Sequence, residues 1–392
     1  ALFPYQREGV TNMVHRLRGR CILADEMGLG KTLQAIAVCQ HYRASTLIIC
    51  PAYLQTTWRR ALGEWQTDAQ VCSYHKVPPD AAPSCVVVDE AHYLKSRDSQ
   101  RTQAIMPLLL KASHVLLLTG TPCPNRPEEL FTLMHAVRPR LVPSWSDFVT
   151  RYCRPRKTPF GLDTRGSDRP DELQWLLGRA FWIRRTKALV LPTLPEKLST
   201  ILYVDTAPAD VAEIAALQER MHDALDRGSK VAQALVTEMY RHTAAAKARQ
   251  SAELLRQHLR PPAVVFAHHQ CVLDAVEQAL RQSGCTVGRI DGHTAMPARQ
   301  RVVDGVQDGS LQVALLSMAA AGCGLTLTAA SSAYFVEIPW CPAVLRQCEA
   351  RIHRIGQLNM CNMFYILAHE TLDSYVWRTI HRKERVGARI GQ

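Results

Sequence analysis

Short apolar runs rich in β-branched residues recur along the chain, and stretches of helical composition separate them. Uninterrupted runs of this kind are typical of parallel strands that are covered on both faces. The first set comprises residues 21–24, 46–50, 85–89 and 115–118, with residues 198–204 expected to close it. The second set comprises residues 263–267, 286–290, 312–317, 333–337 and 363–367. Two such sets predict an α/β fold with two lobes, each built on a parallel sheet.

The segments outside these strands divide the chain further. We predict an N-terminal lobe of residues 1–204 and a C-terminal lobe of residues 205–392. Residues 207–260 are rich in Ala, Gln, Glu and Arg and poor in Gly, which predicts a helical protrusion. Residues 139–195 carry many Arg and Pro residues, which predicts an irregular insertion late in the first lobe.

The charge of the chain favours a polyanionic partner. The 392 residues have a formal net charge of +12, a pI of about 9.2 and a hydrophobic fraction of 47%, enough for two cores. Nucleic acid is expected ahead of an acidic membrane surface, although a merely basic soluble enzyme has the same charge. The 13 cysteines include no C-x-x-C pair, which argues against a zinc module and favours a reducing compartment. Since the sequence shows neither a bilayer-spanning apolar run nor a signal peptide, we expect no membrane partner.

The loop after the first predicted strand ends in Gly-Lys-Thr. Residues 25–32 read DEMGLGKT, and such a loop between a strand and a helix presents backbone N–H groups to phosphate oxygens. Lys31 can reach the β- and γ-phosphates, and the Thr32 hydroxyl can ligate Mg²⁺. Asp25 stands where the usual pattern has its first glycine. The predicted phosphate site therefore consists of Gly28, Gly30, Lys31 and Thr32.

A pair of carboxylates follows the third strand, in the sequence DEAH of residues 89–92. Asp89 can hold Mg²⁺ through water, and Glu90 can orient and deprotonate an attacking water. An isolated pair of this kind is often only two solvated carboxylates, but the phosphate loop favours the catalytic interpretation. His92 is left open between a packing histidine and a part of the chemistry.

The segment QCEARIHRIGQ, residues 347–357, places Arg351 and Arg354 in the predicted second lobe. Arginines spaced in this way are suited to an anion brought from elsewhere. If the lobes close, the γ-phosphate bound at Lys31 is a candidate, and such an arginine finger raises the rate by about 10³- to 10⁵-fold. The alternative is a helix with surface arginines, which gives no reason for the flanking glutamines.

Several motifs, in this order, together resemble the Swi/Snf-type ATPases of helicase superfamily two. They are DEMGLGKT at residues 25–32, DEAH at 89–92, LTGTP at 118–122 and QCEARIHRIGQ at 347–357. Residues 3–6, FPYQ, are similar to the family's adenine-reading motif, and residues 317–330 resemble its motif V. The resemblance covers nearly the whole chain and implies two RecA-like lobes, ATP as substrate and Mg²⁺ as cofactor.

Finer features are similar to one branch of that family, the annealing helicases that remodel forks and are related to the matrix-associated A-like proteins. These features are residues 125–130, 151–153, 266–269 and 289–292. The resemblance implies a DNA-dependent ATPase that tracks along duplex or forked DNA, rewinding strands or remodelling stalled forks. It also implies a nuclear DNA-repair role, action as a monomer, and contacts of single-strand-binding or replication proteins with segments outside this chain.

Carried over position by position, the resemblance assigns roles to individual residues. Gln6 would contact adenine, and Gly324 would line the nucleotide site. Gln347 would join Arg351 and Arg354 at the γ-phosphate. The positions that would approach the DNA backbone are Lys95, Thr121 and Asp291. From the residues alone, Arg184 and Arg185 form a basic pair suited to phosphate contact, although a solvated basic turn is the alternative.

The sequence departs from the family pattern at three positions, and other functions stay open. Ala350 replaces the usual acidic residue before the first finger arginine, Cys341 replaces an asparagine, and Ser96 replaces another. The alternatives are a nucleosome remodeller of the same family, a DEAH-type RNA helicase and a non-enzymatic DNA-binding scaffold. HRIGQ argues against the RNA helicase, and the complete set of catalytic residue types argues against the scaffold.

Overall fold

The computed structural model describes residues 2–78, 80–122, 126–158, 161–226, 231–321 and 324–391. The chain divides into two compact units. The first unit comprises Ala1–Pro192 and Lys383–Gln392, and the second comprises Thr193–Arg382.

The first unit alternates strands and helices. Its strands are β1 (Arg20–Leu23), β2 (Thr46–Cys50), β3 (Gln70–Ser73), β4 (Cys85–Asp89), β5 (His114–Leu118), β6 (Arg156–Thr158), β7 (Gly161–Asp163) and β8 (Trp182–Ile183). Its helices are α1 (Pro4–Thr11), α2 (Lys31–Tyr42), α3 (Gln55–Glu64), α4 (Gln100–Lys111), α5 (Leu130–Val137), α6 (Trp145–Tyr152), α7 (Pro170–Ala180) and α8 (Lys187–Val190). A π-helical turn spans Asn12–Arg16, and short 3₁₀ helices span Ala52–Leu54, Ala91–Leu94 and Pro127–Glu129.

The second unit has the same alternation. Its strands are β9 (Lys197–Val204), β10 (Ala263–Ala267), β11 (Val287–Ile290), β12 (Val313–Ser317), β13 (Ser332–Phe335) and β14 (Cys361–Ala368). Its helices are α9 (Pro208–Asp226), α10 (Val231–His258), α11 (Gln270–Gln282), α12 (Met296–Gln307), α13 (Met318–Ala321) and α14 (Pro342–Glu349), and helix α15 (Asp373–Gly391) begins in it.

Each unit is built on a six-stranded sheet whose neighbouring strands all run parallel. The strand orders are β3-β2-β4-β5-β1-β8 and β11-β12-β10-β13-β14-β9. Successive residues alternate between two cores: Ile22 packs in one core of the first unit, and Cys21 packs in the other. Because both faces are covered, the strands need apolar residues at every position. The predicted fold of two RecA-like α/β lobes is thereby confirmed.

The strand at residues 198–204 was predicted to close the first sheet, and this prediction is wrong. Strand β9 pairs in parallel with β14 along its whole length, from Lys197 with Cys361 to Val204 with Ala368. The first sheet is instead completed by β3 and β8, two short strands that the sequence did not reveal. The division between the units accordingly falls at Pro192 and Thr193, before β9 rather than after it.

The segment predicted as a helical protrusion and the segment predicted as an irregular insertion each match the structure only in part. Of residues 207–260, the described part outside 227–230 does form α9 and α10, but the second half of α10 packs on the sheet through Ala244, Ala248 and Leu255. Residues 139–195 contain α6, the antiparallel β6–β7 hairpin and α7, and they also supply β8 to the main sheet. Among the described residues, no helix has the length and apolarity to cross a membrane.

A buried ion pair fastens α10 to the second sheet. Lys247 Nζ lies 2.6 Å from Asp373 Oδ2 and donates to the Ile366 carbonyl at 3.0 Å, and both side chains are almost fully buried. Lys247→Met should lower the free energy of unfolding of the second unit by about 3–5 kcal/mol, because a carboxylate loses its partner in a dry site. Hydrogen exchange of the β14 amides under native conditions measures this change.

The matched control for this prediction is the double variant Lys247→Met/Asp373→Leu. It removes both charges together and should recover most of the lost free energy, since no unpaired ion stays buried. Equal protection of β14 in Lys247→Met and the wild-type protein would contradict the assigned role.

Candidate functional site

The phosphate loop connects β1 to α2 in the first unit. Gly28 and Gly30 adopt left-handed backbone conformations, with φ of 90° and 70°. Gly30 also has no room for a side chain, because a Cβ there would collide with the Gln6 amide nitrogen. The two glycines thus allow the loop to turn tightly into the first residue of α2, Lys31, as the sequence predicted.

Lys31 and Thr32 open helix α2, where the sequence placed the phosphate contacts. The Lys31 ammonium donates to the Asp25 carbonyl at 2.9 Å and to the Glu26 carbonyl at 3.3 Å, so the loop's own backbone holds it. Burial lowers the pKa of Lys31, and the nearby carboxylates, Glu90 first, act in the opposite direction. A cation held by carbonyls in a buried position is well suited to exchange them for phosphate oxygens.

Asp89 ends β4 and is held by two hydrogen bonds. Trp58 Nε1 on α3 donates to Oδ2 at 2.9 Å, and the Glu90 backbone N–H donates to Oδ1 at 2.9 Å. Burial and the adjacent Glu90 carboxylate raise the pKa of Asp89 to about 6. A nearby cation stabilises the charged form of a buried carboxylate that lies beside a second carboxylate.

Glu90 occupies a left-handed backbone conformation, with φ of 53°. The Tyr74 hydroxyl stabilises this turn because it donates to the carbonyls of Asp89 and Glu90 at 2.7 and 3.1 Å. A non-glycine residue in such a conformation is uncommon and is often found at functional sites. The geometry fixes the direction in which the Glu90 carboxylate leaves the sheet.

His92 lies between the carboxylate pair and the end of β5. Its Nδ1 is 3.2 Å from Glu90 Oε2 and 3.3 Å from the Thr119 hydroxyl oxygen. The Thr119 hydroxyl in turn accepts a hydrogen bond from the Thr121 backbone N–H at 3.1 Å. His92 is therefore in contact with the candidate base, and a part for it in the chemistry stays a prediction.

The residues present fit a hydrated Mg²⁺ ion. Thr32 and Asp89, the two predicted ligands, offer one hydroxyl and one carboxylate, both hard oxygen donors, and Mg²⁺ usually keeps several waters. The raised pKa of Asp89 adds an electrostatic reason for a cation. Within the described ranges, no cluster of three or more His, Cys, Asp or Glu residues could hold a metal.

In the second unit, the structure brings the two predicted arginines together. Arg351 Nε donates to the Gln347 carbonyl at 2.9 Å, and one terminal nitrogen of each arginine lies near the Leu325 carbonyl, at 3.5 Å for Arg351 and 3.4 Å for Arg354. Burial and the neighbouring Arg351 charge lower the pKa of Arg354 to about 10, so Arg354 stays charged at neutral pH. Two guanidinium groups converging on one carbonyl favour binding of an anion.

The residues that flank these arginines have different roles. Gly324, with φ of 73°, precedes the carbonyl that both arginines approach, whereas its neighbours Gly322 and Cys323 lie outside the described residues. Gln357 is buried, and its side chain holds the surrounding backbone in place. It donates to the Ala330 and Ile352 carbonyls and accepts from the backbone N–H groups of Leu358 and Asn359. Gln357 is therefore structural, and Gln347 contributes its carbonyl to the position of Arg351.

The predicted adenine contact, Gln6, is 1% exposed and lies against the phosphate loop. Its amide nitrogen donates to the Leu29 carbonyl at 3.1 Å, and its oxygen accepts from the Phe3 backbone N–H at 3.0 Å. The side chain is thus held in place next to the loop, and its contact with adenine stays a prediction.

Arg185 was predicted to contact nucleic acid, and the structure contradicts this. Its guanidinium is buried and forms a two-pronged pair with Asp25, at 3.0 and 2.5 Å. A side chain with its fork committed to a buried carboxylate has no donors to offer to a phosphate at the surface. The sequence could not reveal this, because the partner lies 160 residues away.

The remaining predicted DNA contacts differ in accessibility. Thr121 is 3% exposed, which argues against a contact through its side chain. Lys95 pairs with the buried Glu129 at 3.0 Å yet is 39% exposed, and Arg184 is half-buried, with a hydrogen bond to the Ala24 carbonyl at 3.2 Å. Asp291 uses both carboxylate oxygens within its own loop and with Arg289. Contacts through Lys95, Arg184 and Asp291 stay predictions.

Comparison with known families decides the assignment. The SNF2-related domain family matches residues 5–83 and 81–245, and the helicase conserved C-terminal domain family matches residues 246–356. The chain belongs to the SNF2-related family. The resemblance inferred from the motifs is thereby confirmed, although Asn125, the first residue of one branch motif, lies outside the described residues.

Two curated relatives are similar to nearly the whole chain. The chain is 37% identical over 426 residues to the SWI/SNF-related matrix-associated actin-dependent regulator of chromatin subfamily A-like protein 1 of Xenopus tropicalis, covering 100% of this chain and 45% of that protein. It is 36% identical over 431 residues to the DNA annealing helicase and endonuclease ZRANB3 of Mus musculus, covering 98% and 40%. The chain therefore spans less than half the length of these relatives.

Among solved structures, the chain is similar to the Sulfolobus solfataricus SWI2/SNF2 ATPase core in complex with dsDNA. The TM-score is 0.47 at 20% sequence identity, with 100% of this chain and 94% of that chain covered.

Proposed function

We propose that this chain is the ATPase motor of a DNA translocase that acts on duplex or forked DNA, rewinding separated strands and remodelling stalled forks. The observation that carries the proposal is the combination, in one SNF2-related chain, of the phosphate loop, the Asp89–Glu90 pair and the paired arginines. The similarity to the DNA annealing helicase and endonuclease ZRANB3 supports the choice of reaction. The net charge of +12 supports a nucleic-acid partner.

The proposal assigns one task to each part of the site. The N–H groups of the phosphate loop and Lys31 bind the phosphates of ATP, and Gln6 contacts the adenine. Thr32 and Asp89 hold Mg²⁺, which when bound neutralises phosphate charge. Glu90 accepts the proton of the attacking water, and His92 keeps the Glu90 carboxylate in position.

Arg351 and Arg354 are assigned to the γ-phosphate. Their charges stabilise the transferring phosphoryl group, with Gln347 and Gly324 shaping the segment that presents them. DNA stimulates hydrolysis in this proposal because binding favours the arrangement in which the arginines reach ATP. Coupling of this kind is what allows hydrolysis to drive movement along DNA.

The cellular setting of the proposal rests on the family resemblance, and the relatives' names support only its link to DNA and chromatin. We place the protein in the nucleus, in DNA repair at replication forks, acting as a monomer. Single-strand-binding or replication proteins are proposed to contact segments outside this chain. Nucleosome remodelling is the second candidate, because one relative is named as a regulator of chromatin.

Strand rewinding tests the proposed function directly. A forked duplex whose complementary arms are held apart by single-strand-binding protein should be rewound in the presence of ATP and not with a non-hydrolysable analogue. Net strand separation would contradict the proposal. Nucleosome sliding without rewinding of the fork would favour the second candidate.

A further inference from the structure

We propose that Arg185 is a positioning residue for the nucleotide, through a buried network that fixes the adenine-contacting helix α1 against the phosphate loop. The network consists of Arg185, Asp25, Gln34 and the backbone of Tyr5. The inference rests on the proposed function, in that ATP is the nucleotide at this loop. It reassigns a residue whose sequence context indicated a surface contact with nucleic acid.

The centre of the network is the pair of Arg185 with Asp25. Arg185 Nε donates to Asp25 Oδ1 at 3.0 Å, and a terminal nitrogen donates to Oδ2 at 2.5 Å. Asp25 is fully buried and Arg185 is 8% exposed. Two parallel charge-assisted hydrogen bonds of this kind fix orientation as well as distance, which a lysine cannot reproduce.

Gln34 on α2 closes the network into a ring. Its amide nitrogen donates to Asp25 Oδ2 at 3.0 Å, and its oxygen accepts from Arg185 at 2.8 Å. The side chain is fully buried. The start of the phosphate loop and the helix that follows it are therefore both tied to Arg185.

Arg185 also reaches the helix that carries Gln6. Its other terminal nitrogen donates to the Tyr5 carbonyl in α1, and its own carbonyl accepts from the Glu26 backbone N–H at 2.9 Å. The Tyr5 hydroxyl and the Gln6 amide both donate to the Leu29 carbonyl, at 3.0 and 3.1 Å. The Arg185 side chain thus connects α1 with the start of the phosphate loop and with helix α2.

Gly9 gives independent evidence that α1 is fitted to this network. A Cβ at position 9 would collide with Gln34 Oε1 and would lie 2.5 Å from an Arg185 nitrogen. Both atoms already hold hydrogen bonds within the ring, so neither can move away without breaking it. The absence of a side chain at Gly9 allows α1 to lie directly over the buried pair.

The arrangement predicts a specific defect. The phosphates are bound by the loop, whereas the base is contacted from α1, so loosening α1 should weaken adenine recognition more than phosphate binding. ATP affinity should fall more than GTP affinity, because only ATP gains from the adenine contact. A general loss of structure would lower both affinities equally.

The variants Arg185→Lys and Gly9→Ala test this inference, with nucleotide affinity measured by fluorescent ATP and GTP analogues. Arg185→Lys should lose roughly 10- to 100-fold in ATP affinity, the equivalent of about one charge-assisted hydrogen bond. The ATP-to-GTP affinity ratio should fall in both variants. In turnover measurements, KM for ATP should rise more than kcat falls, and duplex DNA affinity and its salt dependence should be unchanged.

Arg151→Lys is the matched control. Arg151 forms a comparable two-pronged pair with Glu172, at 2.6 and 2.9 Å, but on the surface and away from the loop. The control should keep the wild-type ATP-to-GTP ratio. Circular dichroism of every variant establishes that the fold is retained.

The outcomes separate the inference from the proposed function. A wild-type protein that binds no ATP overturns the proposed function. A wild-type protein that prefers ATP, with Arg185→Lys and Gly9→Ala keeping the same preference, overturns the inference alone. Loss of DNA affinity in Arg185→Lys, with the log–log salt slope reduced by about 0.9, would identify Arg185 as a phosphate contact and also overturn the inference.

Discussion

Arg354→Ala should lower DNA-stimulated ATP turnover by about 10³- to 10⁵-fold while leaving ATP and DNA affinity nearly unchanged. The groups proposed to bind the nucleotide, the phosphate loop and Lys31, are in the first unit, whereas Arg354 belongs to the second. An interaction that forms only as the reaction proceeds stabilises the transition state more than the ground state, so its loss appears in turnover rather than in binding. Steady-state ATPase assays with saturating DNA, together with separate binding titrations, measure both effects.

Three further variants and one control sharpen this prediction. Arg351→Ala should behave like Arg354→Ala, and the double variant should be little worse than either, because the two arginines act on one anion. Arg354→Lys should restore little activity, since an ammonium cannot reproduce the planar fork. Arg281→Ala, which removes an exposed arginine paired with Glu277 in the same unit, is the control and should retain turnover.

One result would overturn the arginine assignment. If Arg354→Ala kept DNA-stimulated hydrolysis and lost only DNA binding, the two arginines would contact the phosphates of DNA rather than that of ATP.

Glu90→Gln should slow ATP hydrolysis by about 10²- to 10⁴-fold and leave ATP binding intact, because an amide cannot accept the proton of the attacking water. The substitution preserves size, and the backbone turn is held independently by the Tyr74 hydroxyl. Single-turnover hydrolysis and equilibrium binding of ATP separate the two effects. Glu64→Gln, at an exposed glutamate on α3, is the control.

A different outcome for Glu90→Gln would change its assignment. Loss of nucleotide binding along with turnover would mean that Glu90 supports the fold of the site, through its contact with His92, and does not act as the base.

The sequence predicted the positions of the strands better than it predicted which strands pair with one another. Nine of the predicted segments form strands in the expected sheets, because a strand buried on both faces is apolar at every position. Residues 198–204 form a mostly exposed strand that includes Ser199 and Thr200, and they pair with β14, more than 150 residues further along the chain. Pairing over such a distance depends on tertiary packing and leaves no local mark in the sequence.

The same distinction holds in the candidate site. The phosphate loop was predictable because its glycines, lysine and threonine are contiguous. The contacts by which Trp58 and Tyr74 hold the Asp89–Glu90 turn were not, since each aromatic lies 15 or more residues from that turn in the sequence and only the fold brings it there. Arg185 was misassigned because an Arg-Arg pair is usually exposed, and only the fold brings Asp25 to it.

The departure at Ala350 shows a further limit of prediction from the sequence. An acidic residue is present one position earlier, at Glu349, but the structure commits it elsewhere. Glu349 pairs with Lys197 at 2.5 Å and accepts a hydrogen bond from the Tyr365 hydroxyl at 2.7 Å. Glu349 therefore does not replace the missing acid beside Arg351.

The ATPase rate measured in parallel with forked DNA, linear duplex, single-stranded DNA and structured RNA tests the central claim most directly. We expect strong stimulation by forked and duplex DNA, weaker stimulation by single strands and little by RNA. Stimulation by RNA above that by any DNA would contradict the account, as would a rate that no nucleic acid changes.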